Sequence, residues 1–189
     1  MFQFPLRIFR RPTAPSAVTP RASTRLRRGR GHLGRCGAIP LALLLLATPA
    51  LASGLEPRPG WSVHNSDKSY QTLLQDLKSA VRSAGMGLVT EAGPTGAAAA
   101  RGISLPGNRV LGVFRNDFAV AVLGLSTAAM IEAPIRFYVT EDADGRTTLA
   151  YKTPTHVFAP YVPEAGPELT TIATELDRIF AEIAGTALR

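Results

Sequence analysis

Arg136 and Lys152 are the two residues whose types and predicted positions are best suited to binding chemistry. Both lie in a predicted β-hairpin, and the register that its turn requires places them directly across from each other. Like charges in that position repel unless water or an anion lies between them. Two cations held together on a sheet can bind a carboxylate, a phosphate or an acidic partner surface. The alternative is an ordinary salt bridge from the pair to Glu132, Glu141 or a carboxylate of the C-terminal helix.

The hairpin that carries this pair is predicted from Ile135 to Thr153. The four residues Asp142 to Gly145 suit a type I turn in which Gly145 takes the left-handed conformation and forms a bulge. One face of the hairpin then holds four large side chains in two cross-strand pairs, Phe137 with Tyr151 and Val139 with Leu149. The opposite face holds the two cations together with Tyr138, which lies beside Ala150.

His156 completes the set of residues predicted to bind a ligand, which is Arg136, Tyr138, Lys152 and His156. It follows the last predicted strand, where its ring could face a cleft or could instead lie on the surface or at a helix cap. No metal site is predicted, because His64 and His156 are far apart in sequence and neither has a second histidine three or four residues away. Asp142 and Asp144 begin like a calcium loop, but the ligand spacing does not continue.

Two motifs associated with catalysis or cofactors have simpler explanations. Gly124 to Ala128 resembles a nucleophile elbow around Ser126, with Asp142 or Asp144 and then His156 following in the order of a hydrolase triad. The elbow requires an exposed serine between strand and helix, whereas Ser126 ends an apolar helical run and is expected to bond local backbone. A G-x-G-x-x-G pattern at Gly29, Gly31 and Gly34 lies among arginines with no preceding strand. We therefore predict no catalytic residue and no cofactor.

The first 52 residues (1–52) are predicted to be a cleavable signal peptide. An apolar run of 14 residues from Ile39 to Ala52 follows nine arginines, and no acidic residue occurs before Glu56. This run is shorter than the roughly 20 residues of a membrane-spanning helix, which argues against an uncleaved anchor. Ala50 and Ala52 supply the small-x-small pattern of a cleavage site, so the mature chain is expected to begin at Ser53. The protein is then periplasmic or secreted, and it meets the membrane only during export.

Removal of the leader changes what the composition implies. The full chain has 21 basic and 14 acidic residues and a formal net charge of +7, but nine of the basic residues are leader arginines. The mature chain would have 12 basic residues against 14 acidic ones, a net charge of −2, which excludes a nucleic-acid-binding protein of the usual basic kind. The single cysteine, Cys36, also lies in the leader, so the mature chain would have no disulfide and no thiolate chemistry.

The remaining pattern predicts one compact α+β domain in which a mainly antiparallel sheet packs against two amphipathic helices. Residues 53–66 are interpreted as an N-terminal tether and first strand, and residues 67–189 as the domain. Apolar residues at helical spacing predict helices over Ser69–Ala84 and Glu168–Ala184, closed by Gly85 and Gly185. Besides the hairpin, strands are predicted over Trp61–Asn65, Met86–Thr90 and Arg109–Phe114.

Two further segments are less regular. Gly93 to Arg101 is interpreted as an alanine-rich turn or short helix. Phe118 to Met130 is apolar nearly all round, and Asn116 or Asp117 could cap it. Such a helix is expected either to be deeply buried or to be held in an interface. The second alternative would make the protein self-associating.

Several strings of this sequence resemble a bacterial family, the domain of unknown function family 302, over roughly Ser69 to Tyr161. The matching features are a helix closed by glycine, a strand with its turn, and the hairpin: Tyr70–Gly85, Val110–Asn116, Glu132–Val139, Asp144-Gly145 and Leu149–Tyr151. The resemblance implies a compact α+β fold, a mainly antiparallel sheet and the ability to form homodimers, and it fits secretion. It implies no catalytic mechanism. The polar, alanine-rich stretch Gly93–Gly102 departs from the firmer helix expected there.

Three classes of function follow. The leading hypothesis is a non-catalytic periplasmic module that binds a small anionic ligand or a partner protein between sheet and helices, because no nucleophile, acid–base pair or metal cluster has suitable spacing. An enzyme with a dispersed site would use His156, Arg136, Tyr138 and Asp117. A self-associating structural protein would use Phe118–Met130.

Overall fold

The computed structural model describes residues 55–189, whose centre is a five-stranded antiparallel sheet. The strands lie in the order β1-β5-β4-β3-β2 and every neighbouring pair is antiparallel. Their bounds are β1 Trp61–Ser66, β2 Gly87–Ala92, β3 Asn108–Phe114, β4 Ile135–Glu141 and β5 Thr147–Lys152. The predicted α+β class, the antiparallel sheet and the single compact domain are therefore confirmed.

Six helices connect or follow these strands in the described part of the chain. Two of them, α1 and α6, are long, and they pack against each other and against the sheet. The bounds are α1 Tyr70–Ser83, α2 Thr95–Ala99, α3 Asn116–Leu125, α4 Pro154–Phe158, α5 Val162–Ala165 and α6 Pro167–Leu188. Short 3-10 turns follow α3 and α4, at Ala129–Glu132 and Ala159–Tyr161.

The core lies between the two long helices and one face of the sheet. Strand residues of alternating position reach it from β3, β4 and β5, because successive side chains of a strand point to opposite faces. They are Leu111, Val113, Phe137, Val139, Leu149 and Tyr151, all at most 5% exposed. Leu73 and Leu77 of α1 and Phe180 and Ile183 of α6 complete the core and are fully buried. Both helices thus bury the apolar stripe that predicted them.

The hairpin has the predicted register. Phe137 pairs with Tyr151, Tyr138 with Ala150 and Val139 with Leu149. Gly145 has a φ of +79°, as the turn requires, and Asp142 accepts backbone N–H bonds from Asp144 and Arg146.

Two predicted helix ends differ from the structure. The prediction that Gly185 closes the last helix is wrong, because α6 continues to Leu188. Burial on both sides of Gly185 outweighs the weak helix propensity of one glycine. Ala184 before it and Ala187 beyond it are both at most 1% exposed. At the start of α3 neither Asn116 nor Asp117 is the cap residue; Arg115 is, without a side-chain cap hydrogen bond.

The apolar segment Phe118–Met130 is predicted to be a helix that is either deeply buried or held in an interface. The structure shows a shorter helix that is not deeply buried. Helix α3 ends at Leu125, and Val122 is its only buried residue. Val120 and Leu123 are 61% and 50% exposed, and Ile131 in the following turn is 79% exposed. Deep burial of this segment within one chain is therefore wrong. The interface alternative stays a prediction.

Leu55 and Glu56 lie over the face of the sheet that the long helices leave uncovered. Both line clefts together with residues of that face, among them Tyr138, Thr148 and Val63. No helix within residues 55–189 combines the length and apolar character needed to cross a membrane. The predicted signal peptide, its cleavage site at Ala50, Ala52 and Ser53, Cys36 and the three leader glycines lie outside the described residues.

Candidate functional site

The uncovered face of the sheet presents rows of side chains that run across the strands. In one row Trp61 of β1 pairs with Lys152 of β5, and Arg136 of β4 pairs with Gly112 of β3. The β4–β5 register, continued one residue beyond Phe137 and Tyr151, sets Arg136 across from Lys152. In the next row Tyr138 lies between Ala150 and Val110. The strand pairing thus collects aromatic and basic side chains from strands that are distant in sequence.

A cavity of about 350 Å³ opens at this end of the face. That volume is within the range of small-molecule sites. Three of the four predicted ligand-binding residues line it, namely Arg136, Tyr138 and Lys152. The full lining is Trp61, Asn108, Val110, Glu132, Ile135, Arg136, Tyr138, Tyr151, Lys152 and Val157.

The two cations of the cavity are not neutralised by neighbouring carboxylates. Within residues 55–189, no carboxylate oxygen lies within 4.0 Å of a side-chain nitrogen of Arg136 or Lys152. The alternative of a salt bridge to Glu132 or Glu141 is therefore wrong. Glu141 accepts the Gly107 N–H at 3.0 Å, and Glu132 Oε1 accepts the Tyr161 hydroxyl at 2.8 Å.

Three of the four side-chain carboxylates of the C-terminal helix are occupied away from the cavity, and the fourth, Glu168 in its first turn, makes no ion pair with a residue from 55 to 189. Glu175 and Glu182 bind Arg178 on the exposed side of α6. Asp177 accepts the backbone N–H and the hydroxyl of Thr155, at 3.0 Å and 2.7 Å, and so holds the first turn of α4. The positive charge of Arg136 and Lys152 remains available to a ligand.

Trp61 forms one wall of the cavity and is in contact range of two basic side chains. Lys152 Nζ is 5.7 Å from the centroid of the Trp61 ring, and the Arg58 guanidinium carbon is 5.5 Å from it. Cation–π attraction at these distances orients both basic groups toward the ring. An apolar part of a ligand can pack on Trp61 while its charged part meets Lys152.

Tyr138 supplies a hydrogen-bond donor to the same cavity. The Asn108 side-chain amide donates to the Tyr138 hydroxyl oxygen at 2.6 Å. Because that oxygen already accepts, the hydroxyl hydrogen can be donated to a third group. A carboxylate in the cavity would thus meet two cations and a neutral donor.

Among residues 55–189, Glu132 is the only carboxylate that lines the cavity, and Tyr161 fixes its position. The hydrogen bond from the Tyr161 hydroxyl reaches Glu132 Oε1. This bond, followed by burial and the negative charge of Glu132, raises the pKa of Tyr161 above its ordinary value of 10.0. Tyr161 therefore remains a neutral donor at physiological pH, and Glu132 Oε2 makes no hydrogen bond to any residue from 55 to 189.

The structure does not bring His156 into the cavity. Its side chain is exposed and lies against Gly60, where an added Cβ would be 2.1 Å from His156 Cγ. Its backbone N–H donates to Thr153 Oγ1, which caps the start of α4. Asp117, which the dispersed-site enzyme would need, also lies elsewhere: the Arg115 hydrogen bond holds it at the start of α3 and lowers the pKa of its carboxyl.

Ser126 has the structural role that its position in the sequence predicts. It is 7% exposed, accepts the Ala129 backbone N–H at 3.0 Å and donates to Glu164. Asp142 and Asp144, the two candidates for the acidic member of a hydrolase triad, form ion pairs with Arg146 at the hairpin turn. Among residues 55–189 there is also no group of three or more His, Asp or Glu side chains that could hold a metal ion.

Sequence reasoning did not find Trp61 or Asn108, and it named Glu132 only as a salt-bridge partner of the cations. These residues come to the cavity from β1, β3 and the turn before β4. One signal was available, since Trp61 is the single tryptophan of the chain and begins a predicted strand. The pairing of β1 with β5 is what places it beside Lys152.

Comparison with known proteins agrees with this fold. The family model described as "Domain of unknown function DUF302" matches residues 62–184. A crystal structure of an uncharacterised conserved DUF302 protein from Bacillus stearothermophilus is similar, with a TM-score of 0.61 and 16% sequence identity, and the similarity covers 70% of this chain and 100% of that one. At this identity the likeness concerns the fold alone. The comparison with curated proteins gives no match.

Proposed function

The chain belongs to the family of domain of unknown function DUF302, and from this premise we propose that it is an exported, non-catalytic module that binds a small anionic ligand. The observation that carries the proposal is the cavity in which Arg136 and Lys152 face each other without a carboxylate partner among residues 55–189. Two adjacent cations without counter-charges favour an anion between them. Tyr138 adds a neutral donor, and Trp61 adds an apolar wall.

The absence of catalysis is proposed on the chemistry of the groups that line the cavity. Within the described part of the chain they comprise two strong cations, one carboxylate, tyrosine hydroxyls, an amide and the Trp61 indole, with no serine, threonine or histidine side chain. A nucleophile with an adjacent base, as covalent catalysis requires, is not found among these lining residues. The cavity therefore favours binding over bond cleavage.

Export and a periplasmic or secreted location are proposed on the leader alone. Its nine arginines, 14-residue apolar run and Ala50-Leu51-Ala52 pattern are typical of a cleaved signal peptide. Native mass spectrometry of protein recovered from the periplasm would measure the mature N-terminus and any retained ligand together. A mass starting at Ser53 is expected, and a retained leader would contradict export by cleavage.

Anion binding can be measured with the protein's own reporter. Trp61 is the only tryptophan and lines the cavity, so its fluorescence should change when the cavity fills. We expect pentanoate, whose carboxylate could meet the cations and whose alkyl chain could lie on Trp61, to change this emission saturably. The double variant Arg136→Gln/Lys152→Gln should lose the response, and Arg101→Gln, which removes an exposed cation elsewhere, should keep it. An equal response in all three proteins would refute the proposal.

Self-association is a second candidate, favoured by the exposed apolar side chains of α3 and the turn after it. Val120, Leu123 and Ile131 are 50% to 79% exposed, although isolated domains usually limit such clusters. A homodimer that covers this surface would explain them. Leu123→Glu should then convert dimers to monomers in sedimentation equilibrium, whereas Val89→Glu, at an exposed position of β2, should not. A wild-type mass that stays monomeric at high concentration would exclude this candidate.

A further inference from the structure

We infer that the ligand of the cavity carries an ammonium group as well as carboxylates, and that its class is a small acidic amino acid. This inference rests on the proposed anion-binding function and adds the role of Glu132. A site for a simple anion gains nothing from a carboxylate in its lining, since like charges repel. Glu132 nevertheless lines the same cavity as Arg136 and Lys152.

Glu132 is held in the cavity without forming an ion pair with Arg136 or Lys152. Its Oε1 accepts the Tyr161 hydroxyl at 2.8 Å, and no Lys, Arg or His side-chain nitrogen of residues 55–189 lies within 4.0 Å of either carboxylate oxygen. A hydroxyl donor positions the carboxylate without pairing it with a cation. Its second oxygen can accept a hydrogen bond from a cationic group of a ligand.

The charged groups that line the cavity are complementary to the charged groups of an acidic amino acid. Arg136 and Lys152 provide two positive charges, and Glu132 provides one negative charge. A molecule with two carboxylates and one ammonium group presents the complementary set. A dicarboxylate without the ammonium group would leave Glu132 facing like charge, and a monocarboxylate would leave one cation unmatched.

The strand positions separate the two kinds of charge. Arg136 and Lys152 lie on the face of β4 and β5, whereas Glu132 lies in the 3-10 turn that precedes β4 and is directed by Tyr161 of the segment after α4. Glu132 forms no direct ion pair with Arg136 or Lys152, so the carboxylate and the two cations are all available to a ligand. A ligand can therefore bridge them, with its apolar carbons near Trp61 and Val110.

The test compares amino acids with the same skeletons lacking the ammonium group, in the Trp61 fluorescence titration of the full mature chain. Aspartate is compared with succinate, and glutamate with glutarate, so that two ligand lengths are covered. We expect the wild-type protein to bind at least one amino acid about tenfold more tightly than its deaminated partner. Glu132→Gln should abolish that ratio by weakening the amino acid and strengthening the dicarboxylate.

The outcomes separate this inference from the proposed function. If both dicarboxylates bind the wild type as tightly as the amino acids, or if Glu132→Gln weakens all four equally, the ammonium preference is refuted. If pentanoate binding depends on Arg136 and Lys152 while neither amino acid binds, the anion-binding proposal is supported and the inference of an acidic amino acid is refuted. If none of the five compounds binds, both proposals fail. Retained dicarboxylate binding by Glu132→Gln shows that this variant is folded.

Discussion

The rings of Phe137 and Tyr151 meet edge to face across β4 and β5, with their centroids 5.2 Å apart. Phe137 also stacks on Phe180 of α6 at 4.5 Å, so the pair is anchored in the core. Because side chains alternate along a strand, this buried pair sends Arg136, Tyr138 and Lys152 to the other face. The core thus determines where the cations of the cavity lie.

Replacing the two cations should leave stability nearly unchanged. Arg136 and Lys152 make no ion pair with a residue from 55 to 189, so Arg136→Gln/Lys152→Gln removes their mutual repulsion and, against it, only the cation–π contact of Lys152 with Trp61. The free energy of unfolding in urea should change by less than about 0.5 kcal/mol, as for most surface substitutions. Arg101→Gln provides the matched control. A loss of more than about 2 kcal/mol would indicate a structural salt bridge after all.

Gly112 should not tolerate a side chain. A Cβ at this position of β3 would be 2.1 Å from Thr90 Oγ1 and 2.7 Å from Pro134 Cγ. Gly112→Ala is therefore expected to lower the free energy of unfolding by about 1–3 kcal/mol, as overpacking does. Gly124→Ala is the control, because its added Cβ has no atom within 4 Å apart from its chain neighbours and the local helix backbone, and the residue is helical. It should be neutral or stabilise by about 0.5 kcal/mol, and a greater loss there than at Gly112 would contradict the packing argument.

Stability should fall in acid partly through Asp142. The Arg146 side chain, followed by the backbone N–H groups of Arg146 and Asp144, holds the pKa of Asp142 below its ordinary value of 3.8. The unfolded chain then binds this proton first as the pH falls, so the contribution is present above about pH 4 and is lost through the lower folded pKa. Urea unfolding from neutral to strongly acid pH measures this loss.

The pH dependence should be shallower in Asp142→Asn, which cannot bind the proton. Asp67→Asn is the matched control, since Asp67 is exposed and makes no side-chain hydrogen bond or ion pair with the other residues from 55 to 189. If the free energy of unfolding changes equally with pH in Asp142→Asn and the wild type, the Asp142 carboxylate does not contribute to the acid dependence of stability.

Processing of the leader should depend on its two small residues. Signal peptidase requires small side chains at the first and third positions before the cut, here Ala52 and Ala50. Ala50→Leu/Ala52→Leu should accumulate as an unprocessed precursor in a pulse-chase experiment with detection by gel mobility. A change of Leu51 to Val is the control and should be processed at the normal rate. Normal cleavage of the double variant would place the cut elsewhere.

Local patterns were sufficient for most elements of the fold. Helix α1 shows the apolar spacing of its buried stripe, Ser69 caps it by accepting the Thr72 N–H, and Gly85 follows with a φ of +71°. The hairpin register followed from the turn residues alone, since a fixed turn sets every pair beyond it. These features depend on residues within a few positions of one another, which a sequence displays directly.

The pattern was insufficient where distant contacts outweigh local preference. Gly185 is a helix breaker by propensity, but Ala187 beyond it is buried against the core and α6 continues. The apolar composition of α3 did not reveal that only Val122 would be buried, with Phe118 and Leu125 partly buried against the core. Burial depends on what surrounds a helix, and composition alone does not specify those surroundings.

For the candidate site, the sequence by itself determined that Arg136, Tyr138 and Lys152 share one face of a hairpin. Only the tertiary structure decided that this face forms a cavity, because Trp61, Asn108 and Glu132 arrive from other elements. It also decided that His156 lies outside and that the salt bridges predicted as an alternative are not made. The physical reason is that strand alternation is a property of neighbouring residues, whereas a cavity is the space left between segments that pack from far along the chain.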